Sequence, residues 1–355
     1  MNSIRSDEGP RANLPLSRNG AALRRSLLFV PGGEPRKLAR AASAGADTLV
    51  FDLEDSVDLA AKEPARALVA ERLAAGTGDS ECVVRINGCG TPYFERDVFE
   101  VVRAGARSLM LPKSSQATLS HARLHLASVE QRLSLEAGCV RLLALVENAK
   151  GIAGLPRLLN ETTRLDALCF GNADFSLDMG LADSNLSAGV VYHARCSLAI
   201  TAAAAGVAAI DGVCLAIRDD DAFECEARAA LSLGFTGKLC IHPAQVAVAN
   251  DVFTPTSEQI ARARRVVNAS AAAKQKGRGV FALDGRMVDA PVLELQQRLL
   301  ERARRAGALD AGGGEAHRGD WIRPSRETSI GEPPCPKRST RGHPSRSTAP
   351  TSRTS

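Results

Sequence analysis

No two of the nine cysteines form a CxxC pair, and three of them (Cys169, Cys214 and Cys240) lie inside apolar runs. This scattered pattern is typical of reduced, buried thiols and argues against a disulfide framework or a zinc cluster. No stretch approaches the ~20 consecutive apolar residues that a membrane helix needs. Residues 1–24 also hold no apolar segment of the length found in signal sequences. The sequence therefore predicts a cytoplasmic protein without a membrane span.

The body of the chain also lacks an excess of charge of either sign. The formal net charge is +5, and residues 316–355 alone hold eight Lys or Arg against three Asp or Glu, which accounts for the whole excess. A neutral body argues against a basic groove for nucleic acid. Residues 307–355 are dominated by Gly, Ser, Thr, Arg and Pro, which predicts a disordered basic tail. Residues 1–24 are expected to form a flexible leader.

Eight short apolar runs rich in β-branched residues recur along the chain, each followed by a break and a helical pattern. Runs such as VVRI (83–86) and SLML (108–111) are apolar almost throughout, which is typical of parallel strands buried on both faces. Eight alternating strand–helix units predict a single (β/α)8 TIM barrel over residues 25–253. The predicted strands are Arg25–Val30, Asp47–Leu53, Glu81–Ile86, Arg107–Leu111, Arg141–Val146, Asp166–Phe170, Ile210–Leu215 and Gly237–Ile241.

An open Rossmann-type sheet is the alternative for such an alternation of strands and helices. That fold would place a GxGxxG turn after an early strand, but the first run ends in VPGGEP (30–35), which lacks this spacing. Beyond the barrel, residues 254–306 contain a helical stretch (Ser257–Lys276), a glycine-rich break and a further helix from Pro291. We therefore expect a helical appendage after the barrel.

Polar side chains lie at or directly after the ends of most of the predicted strands. In a (β/α)8 barrel, reactive groups lie on these loops, at the C-terminal mouth. The convergence of charged groups at five successive strand ends therefore predicts an active site there. The residues, in chain order, are Asp52, Glu54, Asp55, Arg85, Asn87, Lys113, Glu147, Asn172, Asp174 and His242.

The residue types at these strand ends favour a hard divalent cation. Mg²⁺ takes one or two carboxylates together with water and substrate oxygens, and Glu147 and Asp174 on adjacent strand ends supply such a pair. Arg85 offers paired donors in a fixed plane, which suits an oxyanion or a carboxylate. A cation and a guanidinium facing one cavity can stabilise an enolate, the central demand of aldol and Claisen cleavage.

Other chemistries match the sequence less well. The predicted barrel has four histidines without the spacing of a zinc site, and His121 and His125 lie four residues apart inside a helix. A nucleophilic serine would want a GxSxG motif, which is absent. Lys113 could form a Schiff base or could pair with the acids of DLED (52–55), and the sequence leaves both interpretations open.

Eight segments resemble the citrate lyase beta subunit / malyl-CoA lyase family (HpcH/HpaI aldolase/citrate lyase). Two of them, RINGCGTPYFERDV (85–98) and GKLCIHPAQVAVANDVFTP (237–255), are specific and look closer to malyl-CoA-type lyases than to the carrier-protein citrate lyase chain. The resemblance spans residues 25 to about 305. The other segments are RSLLFVPG (25–32), DLEDSV (52–57), LPK (111–113), LVENAKGI (145–152), GNADFSLDMG (171–180) and DGRMVDAP (284–291).

The resemblance implies roles for individual residues of this chain. Glu147 and Asp174 would bind Mg²⁺, which Mn²⁺ could replace, and Arg85 would hold the thioester or carboxylate end of the substrate. Asp289, which read alone is a helix N-cap, would be a lid aspartate that reaches a neighbouring subunit and exchanges the proton at the thioester α-carbon. The remaining implied residues are Phe29 and Arg40 against the substrate, and Asp52, Glu54 and Asp55 around the metal-bound waters.

The activity implied by the resemblance is that of a Mg²⁺-dependent carbon–carbon lyase. It would cleave a 2-hydroxyacyl thioester (malyl-, citramalyl- or citryl-CoA type) through a thioester enolate into acetyl- or acyl-CoA and a 2-oxo acid. Because the lid must reach a neighbour, a homotrimer or hexamer is implied. The alternatives are a citrate lyase beta subunit acting on citryl-acyl carrier protein, an aldolase of free 2-oxo acids, and a non-catalytic binding paralogue.

Overall fold

A computed structural model describes residues 22–309, except residues 77, 183–185, 187 and 276. Eight parallel strands form a closed barrel in which each strand pairs with the next and β8 pairs with β1. The predicted (β/α)8 fold is thus confirmed. The predicted basic tail from residue 310 onward and the leader up to residue 21 lie outside the described residues. The strands are β1 Ser26–Pro31, β2 Thr48–Asp52, β3 Glu81–Arg85, β4 Ser108–Leu111, β5 Arg141–Val146, β6 Leu165–Phe170, β7 Ala208–Asp211 and β8 Gly237–Cys240.

The barrel strands are apolar throughout because both of their faces are buried. In β2, Leu49 and Phe51 pack with the helices outside the barrel, whereas Val50 faces the interior with Val83 and Met110. Alternate side chains point to opposite faces of a strand, so each run supplies two cores at once. Seven of the eight predicted strands agree with the observed bounds to within two residues at each end.

The seventh predicted strand, Ile210–Leu215, was placed too late in the chain. The strand runs from Ala208 to Asp211, and the residues after Asp211 leave the sheet as a loop. Ala208 and Ala209 follow an alanine-rich helix and extend its pattern, so composition alone does not separate the two elements. Gly206 separates them physically, since it ends the helix in the left-handed conformation at φ 67.

Helices cover the outside of the barrel and bury one face each. In α3, the buried residues Phe94, Val98, Val101 and Val102 recur at the spacing of one helical face. In the described part of the chain, no helix combines the length and apolarity needed to cross a bilayer. The helices are α1 Pro35–Arg40, α2 Lys62–Ala74, α3 Phe94–Arg103, α4 Gln116–Arg132, α5 Ala149–Ala153, α6 Leu155–Leu158, α7 Asn172–Asp178, α8 Gly189–Ala205, α9 Asp220–Ser232, α10 Pro243–Val252, α11 Ser257–Gln275 and α12 Ala290–Arg305, with short 3-10 helices at Ala41–Ala44, Leu59–Ala61 and Leu159–Arg164.

The appendage after the barrel consists of α11, a β-hairpin and α12, which packs against α11. The hairpin pairs β9 (Phe281–Leu283) with β10 (Arg286–Val288) in antiparallel register. Asp284 and Gly285 form its turn, and both have positive φ values (49 and 70), as the common two-residue hairpin turn requires. Asp289 follows β10 directly and caps the start of α12.

Candidate functional site

The C-terminal ends of the strands surround a cavity of about 400 Å³ at the barrel mouth. Acidic side chains from the ends of β2, β5 and β6 line it together with Arg85 from β3. A larger groove of about 540 Å³ lies on the outer surface between α5, α6 and α8, but its lining is mainly apolar and contains neither a carboxylate nor a guanidinium. Six of the ten strand-end residues predicted from the sequence therefore line the smaller cavity.

Glu147, directly after β5, is almost fully buried at this mouth. Its Oε1 accepts a hydrogen bond of 2.7 Å from the main-chain N–H of Lys113. Burial raises the pKa of Glu147 to about 8, and the negative charges of Glu54 and Asp174 add to the effect. Gly171 makes room for this side chain, because a Cβ at position 171 would lie 2.4 Å from the Cβ of Glu147.

Asp174 lies in the first turn of α7. This helix begins at Asn172, and only Gly171 separates it from the end of β6. Asp174 lines the same cavity as Glu147 and repels its charge. Asn172 fixes the start of this helix, since its side-chain amide accepts from Val213 N–H (2.8 Å) and donates to Val213 O (3.1 Å) after β7. The fold thus brings together the two carboxylates that the sequence predicted as a pair.

The acids at the mouth fit a divalent cation. The Oε2 of Glu54 is buried and accepts no hydrogen bond, although Arg85 Nη1 lies 3.2 Å away. The pKa of Glu147 is raised by burial and by the charge of its acidic neighbours. Among residues 22–309 as described, no three or more Asp, Glu, His or Cys side chains form a ready-made ligand cluster. Two carboxylates completed by water and substrate oxygens are enough for Mg²⁺. Glu147 and Asp174 can therefore hold such an ion.

Arg85 lies on the β2 side of the cavity in a planar, two-point pair with Asp52. Its Nε and Nη2 donate to the two carboxylate oxygens at 2.6 and 2.7 Å, and its Nη1 donates to Asp55 at 3.2 Å. Burial acts to raise the pKa of Asp52, but the hydrogen bonds and charge of Arg85 hold it below its ordinary value. The guanidinium carbon lies 4.9 Å from the ring centre of Phe29. These contacts fix the plane of the guanidinium at the wall of the cavity.

Lys113 pairs with an acid of the DLED segment, as one of the two interpretations of the sequence proposed. Its Nζ donates to Glu54 Oε1 at 2.9 Å. Burial acts to lower the pKa of Lys113, but the hydrogen bond and charge of Glu54 outweigh this effect and raise the pKa. A Schiff-base lysine needs a lowered pKa, so the geometry favours the ion pair. Lys113 also has a left-handed backbone (φ 49), which aims its N–H at Glu147.

Several residues named from the sequence do not line the cavity of their own chain. His242 caps the start of α10, where its Nδ1 accepts from Ala244 N–H at 3.2 Å. Arg40 is exposed at the end of α1, and Asp289 accepts from Val292 N–H (3.1 Å) as the N-cap of α12. His121 and His125 lie against the ring of Phe94 on α3, at 5.3 and 5.4 Å between ring centres. These two histidines therefore contribute to the packing of α4 against α3, whereas Arg40 and Asp289 do not reach the cavity within their own chain.

Two residues that shape the mouth were missed from the sequence. Gly171 admits the Glu147 side chain, and the buried Lys62 holds the loop after β2 with hydrogen bonds to two main-chain carbonyls. A glycine directly after an apolar strand was a signal for the first. Lys62 gave none, because a lysine in the first turn of a helix is ordinarily exposed.

The fold and its mouth define a (β/α)8 barrel with two carboxylates, from the ends of β5 and β6, in one cavity with a guanidinium. The chain belongs to the HpcH/HpaI aldolase/citrate lyase family, whose sequence model matches residues 25–243. The resemblance found in the sequence is thus confirmed.

Named relatives support the same assignment. The chain is 36% identical over 297 residues to the citrate lyase subunit beta of Leuconostoc mesenteroides subsp. cremoris, with 83% of this chain and 98% of that protein covered. It is 35% identical over 306 residues to the mitochondrial citramalyl-CoA lyase of Rattus norvegicus, covering 81% and 88%. The crystal structure of protein CitE from Mycobacterium tuberculosis in complex with magnesium, acetoacetate and coenzyme A aligns with a TM-score of 0.66 at 32% identity, covering 80% and 100%.

Proposed function

We propose that this chain is a Mg²⁺-dependent carbon–carbon lyase that cleaves a 2-hydroxyacyl thioester of the malyl-, citramalyl- or citryl-CoA type. The products would be acetyl- or acyl-CoA and a 2-oxo acid. The observation that carries the proposal is the meeting of Glu147 and Asp174 beside Arg85 in one cavity. The relatives named as lyases, and the magnesium and coenzyme A bound by the CitE protein, point to the same chemistry.

Glu147 and Asp174 would hold the metal ion, for which Mn²⁺ could substitute because both ions prefer oxygen ligands. When bound, the cation would act as a Lewis acid toward the oxygens of the 2-hydroxy carboxylate. Occupancy by a divalent ion would also relieve the repulsion that helps to raise the pKa of Glu147. Binding of the ion would therefore favour the ionised form of this carboxylate at neutral pH.

Arg85 would stabilise the negative charge that moves onto the thioester oxygen when the 2-hydroxyl gives up its proton to a water molecule and the C2–C3 bond breaks. Its guanidinium is fixed by Asp52 before substrate arrives, and such preorganised donors are the most effective stabilisers of developing charge. Asp55 and Glu54 would complete the acidic rim around metal-bound waters. Phe29 lines the cavity under Arg85 and would limit access of water to the enolate.

Asp289 would donate the proton to the enolate carbon from a neighbouring subunit. In its own chain it caps α12 and does not line the cavity. We propose a homotrimer or hexamer in which residues 254–306 form a lid over the barrel (25–253) of the next subunit, with Arg40 facing the coenzyme. The protein would act in the cytoplasm.

A carrier-protein substrate is the second candidate. The citrate lyase beta subunit and the citramalyl-CoA lyase differ by one percentage point in identity to this chain, so identity does not separate the two carriers. A mass-spectrometric screen would offer malyl-, citramalyl- and citryl-CoA, citryl-acyl carrier protein and the corresponding free hydroxy acids. Turnover of the carrier-protein substrate alone would favour the citrate lyase role, and turnover of free hydroxy acids alone would favour an aldolase.

The decisive variant is Glu147→Gln, which keeps the shape of the side chain and removes its charge. We expect metal-dependent cleavage to be lost because Mg²⁺ loses one of two carboxylate ligands, whereas Glu136→Gln on an exposed loop should leave it unchanged. Retained Mg²⁺-dependent turnover in Glu147→Gln would contradict the assignment. In Asp289→Ala, substrate should still bind while kcat falls, and an unchanged kcat would remove Asp289 from the mechanism.

A further inference from the structure

Lys62, in the first turn of α2, is a buried lysine, with only 5% of its surface exposed. Its Nζ donates to two successive main-chain carbonyls, Leu53 O at 2.8 Å and Glu54 O at 2.6 Å. Across the described residues, no carboxylate lies within ion-pair distance of this ammonium. A buried cation that bonds only to carbonyls has a high desolvation cost. We therefore expect these two hydrogen bonds to affect the loop that they hold.

The contacts of Lys62 act on the acidic loop through the planes of its peptide bonds. In a trans peptide, the C=O and the N–H point in opposite directions. When Lys62 holds the carbonyl of Leu53, the N–H of Glu54 is therefore turned the other way, where it donates to Asp52 Oδ1 at 2.9 Å. The same Asp52 carboxylate binds Arg85 at both of its oxygens. A continuous chain of contacts thus runs from Lys62 to the guanidinium in the cavity.

A second group of side chains supports the same loop from β3. Asn87 donates from Nδ2 to Leu53 O at 3.0 Å and to the buried Asp97 at 2.6 Å. Asp97 in turn accepts from Arg66 Nε at 2.6 Å. Arg66 lies one helical turn after Lys62, so one face of α2 holds both the loop after β2 and the loop after β3. The carbonyl of Leu53 is the point where these two supports meet.

We propose that Lys62 is a positioning residue of the active site. By fixing the carbonyls of residues 53 and 54, it sets the orientation of Asp52 and thereby of Arg85. The inference rests on the proposed function, because Arg85 is taken to act on the substrate. It requires no contact between Lys62 and substrate or metal, and it assigns a role to a side chain outside the cavity.

The test compares Lys62→Met with Lys238→Met. Methionine is unbranched like lysine and only one atom shorter, but it cannot donate a hydrogen bond. Lys238 is also fully buried, but its Nζ pairs with Asp211 (2.7 Å) and it does not line the cavity. Both variants should lower the stability of the protein, because each removes the hydrogen bonds of a buried ammonium. Only Lys62→Met should then lower kcat, by about 10- to 100-fold as for other residues that orient active groups, with the Kd for Mg²⁺ unchanged within about threefold.

A readout that does not depend on turnover is hydrogen–deuterium exchange of residues 53–56. The amides of Glu54 and Ser56 donate to Asp52, and the amide of Leu53 donates to Arg85 O. In Lys62→Met these amides should exchange faster while the barrel strands keep their protection, and in Lys238→Met they should not. Unchanged exchange at 53–56 together with an unchanged kcat would overturn the proposal.

Failure of the proposed function would look different from failure of this inference. A wild-type protein without lyase activity would remove the function, and faster loop exchange in Lys62→Met would still support the positioning role. If Lys62→Met does not accumulate as folded protein, Lys62→Leu serves instead, since leucine is a strong helix former and likewise cannot donate a hydrogen bond. Wild-type exchange at residues 53–56 and wild-type kcat in that variant would overturn the proposal.

Discussion

Gly171 offers a direct way to disturb the proposed metal site with a single methyl group. An added Cβ would lie 2.4 Å from Glu147 Cβ and 2.8 Å from Glu147 Oε2. Because carbon atoms pack at about 3.5–4.0 Å, the Glu147 side chain would have to move by roughly 1 Å. The backbone of Gly171 itself has an ordinary negative φ of –92, so alanine is disfavoured only by this contact.

We expect two measurable effects from Gly171→Ala. Overpacking of a tight site costs about 1–3 kcal/mol of unfolding free energy. A displacement of about 1 Å in a group that must be placed accurately can lower activity about 100-fold. Isothermal titration with Mg²⁺ should show a weaker affinity, and steady-state kinetics with the preferred hydroxyacyl-CoA should show a lower kcat/KM.

Gly88→Ala is the matched control, because an added Cβ there meets nothing within 4 Å and the residue lies on a loop at the same end of the barrel. It should leave the Kd for Mg²⁺ and kcat/KM unchanged. A Gly171→Ala variant whose Mg²⁺ affinity and kcat/KM equal those of the control would refute the claim that Gly171 makes room for the carboxylate of Glu147.

Two further predictions concern buried ion pairs away from the mouth. Burial acts to raise the pKa of Glu130, but the hydrogen bonds of Arg164 outweigh this effect and lower the pKa to about 2. Glu130→Gln should therefore lower the free energy of unfolding by up to about 3 kcal/mol at neutral pH. Urea unfolding should show this loss becoming smaller as the pH falls from about 4.5 to 2. A loss that does not depend on pH would contradict the prediction. Asp211→Asn should lower the free energy of unfolding by about 3–5 kcal/mol, because it leaves Arg195 and Lys238 buried without their shared carboxylate. The affinity of the folded protein for Mg²⁺ should stay unchanged. A loss of stability below about 1 kcal/mol in urea unfolding would contradict this prediction.

The barrel and the acidic mouth could be predicted because strand ends and apolar runs are local features of the sequence. Glu147 and Asp174 each follow an apolar run closely, so the closed sheet that the runs imply brings them together. β7 was misplaced because Ala208 and Ala209 have no β-branched side chain to mark a strand. Its position is set by pairing with β6 and β8 instead.

The supports of the site could not be predicted in the same way, because they depend on which atoms meet across the fold. The sequence does not indicate that Lys62 turns inward to the carbonyls of residues 53 and 54. Nor does it indicate that Lys113 adopts a left-handed backbone, since that conformation is favoured by glycine and asparagine. In both residues the main-chain geometry of a neighbouring loop, rather than the residue type, determines the contact.

The closed barrel leaves no unpaired strand edge, because β8 returns to β1. Within the part of the chain that the structure describes, the hairpin of β9 and β10 is the one sheet with open edges. Unpaired edges are where foreign strands add and where aggregation begins. Asp289 follows β10 directly, so a strand that added to this hairpin would lie beside the proposed lid residue and leave the pairing of the barrel intact.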